Sequence, residues 1–183
     1  MIVLLDTSSL LSLVRYYLPF DINNTLFKYF EEKFSAKEFI ILDKVYEESK
    51  HVSGGIVLEK LTFLKDKKVI IKTDNLLPDQ KFFRRLENEF CYGRWKKELS
   101  TPEFETLKAA YLNSADCKLF LFWLRNTDMQ NPNEMIIVTE ETEVDNDRKA
   151  FKKLPAICNM LQIEHKTLPE LISSFDNFKI NFS

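Results

Sequence analysis

The chain of 183 residues holds only 3 glycines and 6 prolines, too few for a loop-rich sandwich or a disordered chain. No apolar run approaches the roughly 20 residues that a bilayer span requires. The amino terminus has no basic region ahead of its apolar residues, so a secretory signal is not expected. The three cysteines, Cys91, Cys117 and Cys158, are odd in number, far apart and not in metal-type pairs. That pattern predicts buried thiols in a reducing cytoplasm rather than a disulfide framework or a zinc site. The two histidines, His51 and His165, stand alone in their segments and read as surface or packing residues. Charge of one sign is missing as well: 26 basic against 28 acidic side chains leave a net charge of −2. Such a balance does not advertise a nucleic-acid binder, although it leaves room for a local basic patch.

What is present fits one soluble domain over residues 1–183. The chain is 45% hydrophobic and 30% charged, and its 16 phenylalanines predict a core filled by aromatic rings. Ile2 to Leu5 is a short, fully apolar run closed by Asp6, Thr7, Ser8 and Ser9, the pattern of a strand buried on both faces. The leucines that follow predict a helix from Leu10 to Tyr17. Leu26, Phe27, Phe30 and Phe34 recur at helical spacing between charged residues. Phe39 to Leu42 reads as a second strand, with Asp43 as cap of the next helix. Helical spacing resumes from Ile56 to Leu64, and Val69 to Ile71 is strand-like. Across residues 72–105 the pattern loosens around FFRRLENEF and RWKK, which predicts a helical insertion or cap over the sheet. Glu103 to Leu112 is helical, Ser114 caps the apolar helix ADCKLFLFWLRN, and EMIIVT is a third clear strand. A short helix over Ala156 to Leu161, an edge strand near Glu164 to Thr167 and a last helix from Leu168 complete the chain. Strands alternating with helices give the α/β class with a mainly parallel sheet.

Acids recur at the strand-to-helix junctions. Asp6 follows the first strand, Glu47 and Glu48 lie on the helix after the second, and Glu140 and Glu141 follow the third. Asp116 sits in the first turn of the apolar helix. Each has a plain explanation as a helix cap, a dipole partner or a solvated side chain, and Asp6 in particular reads equally as a cap or a ligand. In a parallel sheet, however, these junctions share one rim, where open α/β sheets place their ligands. Carboxylates crowded there repel one another unless a cation compensates them. Oxygen-only donors suit Mg²⁺ or Mn²⁺.

The ordered set resembles the PIN domain, a nuclease fold of prokaryotic toxins and RNA-processing enzymes. The matching residues are LLDTSSL at the first strand, Val45-Tyr46-Glu47-Glu48 after the second, Ser114-Ala115-Asp116 at a later helix start and Thr139-Glu140-Glu141 after the third strand. The ending LPAICNMLQIEHKTLPELI is also similar, and a prokaryotic PIN-like subgroup with V-T-E-E at the last site is the nearest likeness. Residues 72–102 lie outside the resemblance. It implies a three-layer α/β/α fold and a metal-dependent endoribonuclease acting on RNA. Asp6, Glu48, Asp116 and Glu141 would then be the catalytic and metal-holding acids around Mg²⁺ or Mn²⁺. Glu141 stands where the family usually has Asp, so Glu140, Asp145 or Asp147 remain alternates, as does Glu47 for Glu48. Thr7, Ser8 and Thr139 are expected to orient the acids, with Thr7 and Ser8 relieving Asp6 of the capping role. A strip of Arg84, Arg85, Arg94, Lys96 and Lys97, with Tyr92 and Trp95 for stacking, is expected to hold RNA. An antitoxin partner and a homodimer are further expectations of the resemblance.

The main alternative is a PIN-like module that keeps part of its acids and binds a partner without catalysis. A phosphatase of the haloacid-dehalogenase type stands further off, because it needs a second Asp where this chain has Ser8. A receiver domain stands further off too, lacking a convincing lysine partner for its acids.

Overall fold

A computed structural model describes residues 1–127, 134–143 and 149–175. Five short strands form its all-parallel sheet: β1 (Ile2–Leu5), β2 (Phe39–Leu42), β3 (Ile70–Ile71), β4 (Met135–Val138) and β5 (His165–Lys166), in the spatial order β3-β2-β1-β4-β5. Parallel strands need crossovers, and the helices supply them. These are α1 (Thr7–Ser12), α2 (Thr25–Ser35), α3 (Asp43–Ser49), α4 (Ile56–Lys60), α5 (Gln80–Arg85), α6 (Gly93–Glu98), α7 (Thr101–Leu112), α8 (Ala115–Asn126), α9 (Leu154–Leu161) and α10 (Leu168–Ser173). Every residue of β2 and β4 is buried. Since successive strand residues point to opposite faces, both faces of the sheet are covered. The fold is a three-layer α/β/α sandwich.

Register puts β1 at the centre. Ile2 to Leu5 pair with Met135 to Val138 on one side, and Val3 and Leu4 pair with Phe39 and Ile40 on the other. The chain walks outward from β1 to β2 and β3, then returns to add β4 and β5 beyond the other edge of β1. The reversal falls between β1 and β4, which is the topological switch point of this sheet.

The phenylalanines fill the core as their abundance suggested. Phe30 and Phe34 of α2 meet Phe39 of β2 edge-on, with centroids 5.1 and 6.0 Å apart, and Phe34 also contacts Phe63 at 5.2 Å. Helix α8 is buried along most of its length, and its Trp123 indole donates to the Met135 carbonyl at 2.8 Å. All three cysteines are free and buried. No helix among the described residues is long and apolar enough to cross a membrane.

Several boundaries differ from the sequence expectation for identifiable reasons. The first helix begins at Thr7, not Leu10, and it is Asp6 itself that caps it. Asp6 is extended (φ −83°, ψ 160°) and accepts from the Thr7 and Ser8 amides, so Thr7 and Ser8 do not take over the capping role. That helix then widens into a π-helical turn over Leu13–Tyr17. Asp43 is the first residue of α3 rather than its cap, and its carboxylate holds the Thr73 amide and hydroxyl instead. The helical run expected to reach Leu64 breaks at Leu61 (φ −90°, ψ 72°). The loosely patterned insertion contains α5, a π-helical turn over Leu86–Phe90 and α6, and α7 follows with a capping box made by Ser100 and Glu103.

Truncation of Phe30, fully buried at 0% exposure, tests the aromatic core. Phe30→Ala is expected to lower the unfolding free energy by about 3–5 kcal/mol, as for other large buried rings. Urea denaturation measures it, and a loss below about 1 kcal/mol contradicts this packing.

Candidate acidic site at the switch point

Asp6 and Thr139 end the two strands that flank the switch point, and a hydrogen bond joins them. The Thr139 hydroxyl donates to Asp6 Oδ2 at 3.0 Å, and the Ser8 hydroxyl donates to the same oxygen at 2.7 Å. The Thr7 amide donates to Asp6 Oδ1 at 2.7 Å. Each hydroxyl is supported in turn from the β4 side: the Glu140 amide donates to Ser8 Oγ at 2.9 Å, and the Glu141 amide to Thr139 Oγ1 at 3.1 Å. Thr7, Ser8 and Thr139 thus fix the orientation of Asp6 and couple the start of α1 to the turn after β4.

Thr7 also reaches the second strand's helix. Its hydroxyl donates to Glu48 Oε2 at 2.6 Å. The neighbouring Glu47 turns the other way and pairs with Lys50 at 2.7 Å on the exposed face of α3. The structure therefore separates the two glutamates and brings only Glu48 to the rim. It separates Glu140 from Glu141 as well. Glu140 accepts from the Leu168 amide at 2.6 Å, at the start of α10. Glu141 accepts from the Leu154 amide at 3.2 Å, at the start of α9. Asp145 and Asp147 lie outside the described residues.

The electrostatics join these acids and Asp116. Burial pushes the Asp6 carboxyl above its ordinary value. The hydroxyl bonds from Ser8 and Thr139 and the Thr7 amide oppose that shift, and the charge of Glu141 adds to it. Asp116 is pushed up to about 8, first by burial and then by the charges of Asp6, Glu141 and Glu48; Lys149 works in the opposite direction. Among the described residues no hydrogen bond is one of the leading causes of the Asp116 shift. Asp116 is thus an acid without a protein donor among the described residues, in the field of three others contributed by three other elements.

Asp6, Glu48 and Glu141 are turned onto protein donors, and among the described residues no three His, Cys, Asp or Glu side chains stand in an arrangement that holds a metal ion. The donor chemistry itself, carboxylate oxygen throughout, fits a hard divalent cation such as Mg²⁺ or Mn²⁺.

The cations of the expected basic strip have separate surroundings. Arg85 is tied to Glu89 at 2.8 Å, donates to the Met160 carbonyl at 2.6 Å and lies over Phe90. Lys96 donates to Asn88 at 3.2 Å, Arg94 lies over the half-buried Trp95, and Arg84 and Lys97 are exposed. Sequence reasoning missed Lys149, the cation that acts on Asp116, because it sits in the polar segment after β4 without helical or strand periodicity. It missed Tyr111 too. That ring stacks on Phe151 at 4.2 Å, its hydroxyl is buried without a described partner, and burial with the charge of Asp116 holds it well above the usual tyrosine range. A cavity of about 640 Å³ lined by Leu76, Phe82, Trp123 and Met160 is a separate feature. Trp123 bonds the beginning of β4, whereas the acids stand at the strands' carboxyl ends.

A raised carboxyl pKa has a definite consequence for stability. The folded state binds the Asp116 proton more tightly than the unfolded chain does, so this stabilisation is complete below the ordinary value of 3.8 and is lost as pH rises to about 8. In metal-free buffer Asp116→Asn is therefore expected to raise the melting temperature at pH 8 by roughly 5 °C and to change it little at pH 4. An equal effect at both pH values contradicts the shift.

A protein-family model described as "Domain of unknown function (DUF4411)" matches residues 3–177. No curated protein and no solved structure matches the chain. With nearly its whole length covered by that model, the chain belongs to the DUF4411 family.

Proposed function

We propose that this protein is a metal-dependent endoribonuclease of the PIN-like type, with Asp6, Glu48, Asp116 and Glu141 as its acidic centre. The observation that carries the proposal is Asp116: a largely buried acid with no described donor, raised by the charges of Asp6, Glu141 and Glu48 together. Acids perturbed by burial and by neighbouring charges cluster at functional sites. Their place beside the switch point supports the same conclusion. Mg²⁺ or Mn²⁺ would be held by Asp6 and Asp116, with Glu48 and Glu141 completing the pocket. A divalent ion there supplies Lewis acidity and lowers the pKa of bound water.

The chain's own residues set the geometry for that chemistry. Ser8 and Thr139 hold one oxygen of Asp6, and the Thr7 amide holds the other. This leaves the carboxylate little freedom to rotate. The Thr7 hydroxyl orients Glu48 from the same turn. The Thr139 hydroxyl takes the Glu141 amide, so one side chain positions two acids. RNA is the proposed substrate, and the reducing cytoplasm, where three free buried thiols persist, is the proposed compartment.

A non-catalytic binding module draws on one observation of its own. Asp6, Glu48 and Glu141 already have protein donors, as acids in a purely structural network do. Cleavage of labelled single-stranded RNA with and without Mn²⁺ separates the two. The wild-type protein is expected to cleave only with metal. Asp6→Asn and Asp116→Asn should each reduce the rate on the order of 100-fold or more, and Thr139→Val by about 10–100-fold. Glu47→Gln, at the exposed Lys50 pair, should cleave as the wild type does. Full activity in folded Asp6→Asn overturns the assignment.

A further inference from the structure

An acidic crevice repels the phosphates it is proposed to cut, so the backbone of the substrate must be gripped by cations close to the acids. Within the insertion, Arg85 is not free for that task. Arg85 is committed to Glu89 and to the Met160 carbonyl near the far end of α9. Glu141 caps that helix at Leu154, about 9 Å away at 1.5 Å per residue.

The segment running into the acid-capped end of α9 is different. Lys149, Lys152 and Lys153 fall within five residues, and among the described residues none of them lies within ion-pair distance of a carboxylate. The charge of Lys149 acts directly on Asp116. Lys153 donates to the Thr142 hydroxyl at 3.5 Å, one residue beyond Glu141, and Lys152 lies 6.0 Å from the Tyr92 ring centre.

This segment is also held in place. The Tyr92 amide donates to the Ala150 carbonyl at 3.0 Å, and the Lys152 amide donates to the Phe90 carbonyl at 2.9 Å, forming an antiparallel bridge between Cys91 and Phe151. Phe151 points inward and stacks on Tyr111 at 4.2 Å. The Tyr111 hydroxyl is buried with no protein partner among the described residues, in the field of Asp116 and Glu141. A braced segment that carries three lysines without a carboxylate partner among the described residues, and that leads into the helix start held by Glu141, matches the needs of phosphodiester oxygens.

We infer that residues 149–153 form the phosphate-holding bank of the crevice, with Lys149, Lys152 and Lys153 gripping the backbone of a single-stranded RNA across the four acids. The inference rests on the nuclease proposal for what is cut, but binding can be measured without cleavage. Fluorescence anisotropy of a labelled single-stranded RNA in EDTA, at several salt concentrations, reads it directly. The triple variant K149Q/K152Q/K153Q is expected to bind at least about tenfold more weakly and to flatten the log–log salt slope by about 2, at roughly 0.7 per lost contact. The single variant Lys149→Gln, at an exposed position, is expected to lose about threefold and serves should the triple variant fold poorly. The double variant K65Q/K67Q, removing exposed cations just before the edge strand β3, is expected to bind as the wild type does. Unchanged binding in Lys149→Gln and the triple variant, an equal loss in K65Q/K67Q, or no RNA binding by the wild type overturns the inference. Loss of binding in the lysine variants alongside a wild type that binds RNA but never cleaves it supports the lysine bank and removes the nuclease proposal.

Discussion

A carboxylate at the end of the central strand, 4% exposed, cannot sit there without compensation, because burial of an uncompensated charge is among the costliest arrangements in a protein. Asp6 is compensated from both sides of the switch point. The Thr7 amide and the Ser8 hydroxyl come from its own strand's helix, and the Thr139 hydroxyl comes from the neighbouring strand. The rest of the rim is built on that junction. Ser8 and Thr139 each donate to Asp6 and accept an amide from the turn after β4, so the hydrogen bonds run in series and strengthen one another. Glu141 and Glu48 are placed by the same two turns. Removing the Asp6 carboxylate leaves the buried Thr139 hydroxyl and the half-buried Ser8 hydroxyl without their acceptor.

The compensation stops at Asp116. Helix α8 presents it at its first turn, where the macrodipole offers some help, but no described donor reaches it and three neighbouring acids oppose its ionisation. The network therefore has one satisfied end and one strained end. Structural networks of buried polar groups are normally satisfied throughout. Asp116, with Lys149 as the opposing charge and a Tyr111 hydroxyl that has no partner among the described residues, is the end of the network at which the proposed cation would act.

Much of this was legible in the sequence because the signals were local. Apolar runs of four residues named β1, β2 and β4, and the run at Val69 to Ile71 supplied β3, although its register with β2 came only from pairing at Ile41 and Ile70. Ser114 was readable as the cap of α8, and the structure gives it that bond, from the Cys117 amide at 3.2 Å. The boundary at Asp6 was misjudged because Asp, Thr and Ser are all good caps and their ranking is nearly level. What decided it was the extended backbone at Asp6. Choosing Glu48 over Glu47 was possible from the V-x-x-E spacing, but the physical reason, a hydroxyl from α1, is a contact 41 residues away. Long-range contacts of that kind leave no periodic trace. For the same reason the basic cluster in the insertion drew attention in the sequence, while Lys149, Lys152 and Lys153 did not: the role inferred for them rests on a bridge between residues 91 and 151.

The central claim is that the crevice is built to take a divalent cation with Asp116 as one of its holders. Isothermal titration of Mn²⁺ into the protein at pH 7, in parallel with Asp116→Asn, tests it most directly. Saturable binding by the wild type at a single site, lost in the variant while the variant's circular dichroism is unchanged, is the predicted result. No binding up to millimolar Mn²⁺, or binding that survives intact in Asp116→Asn, contradicts it.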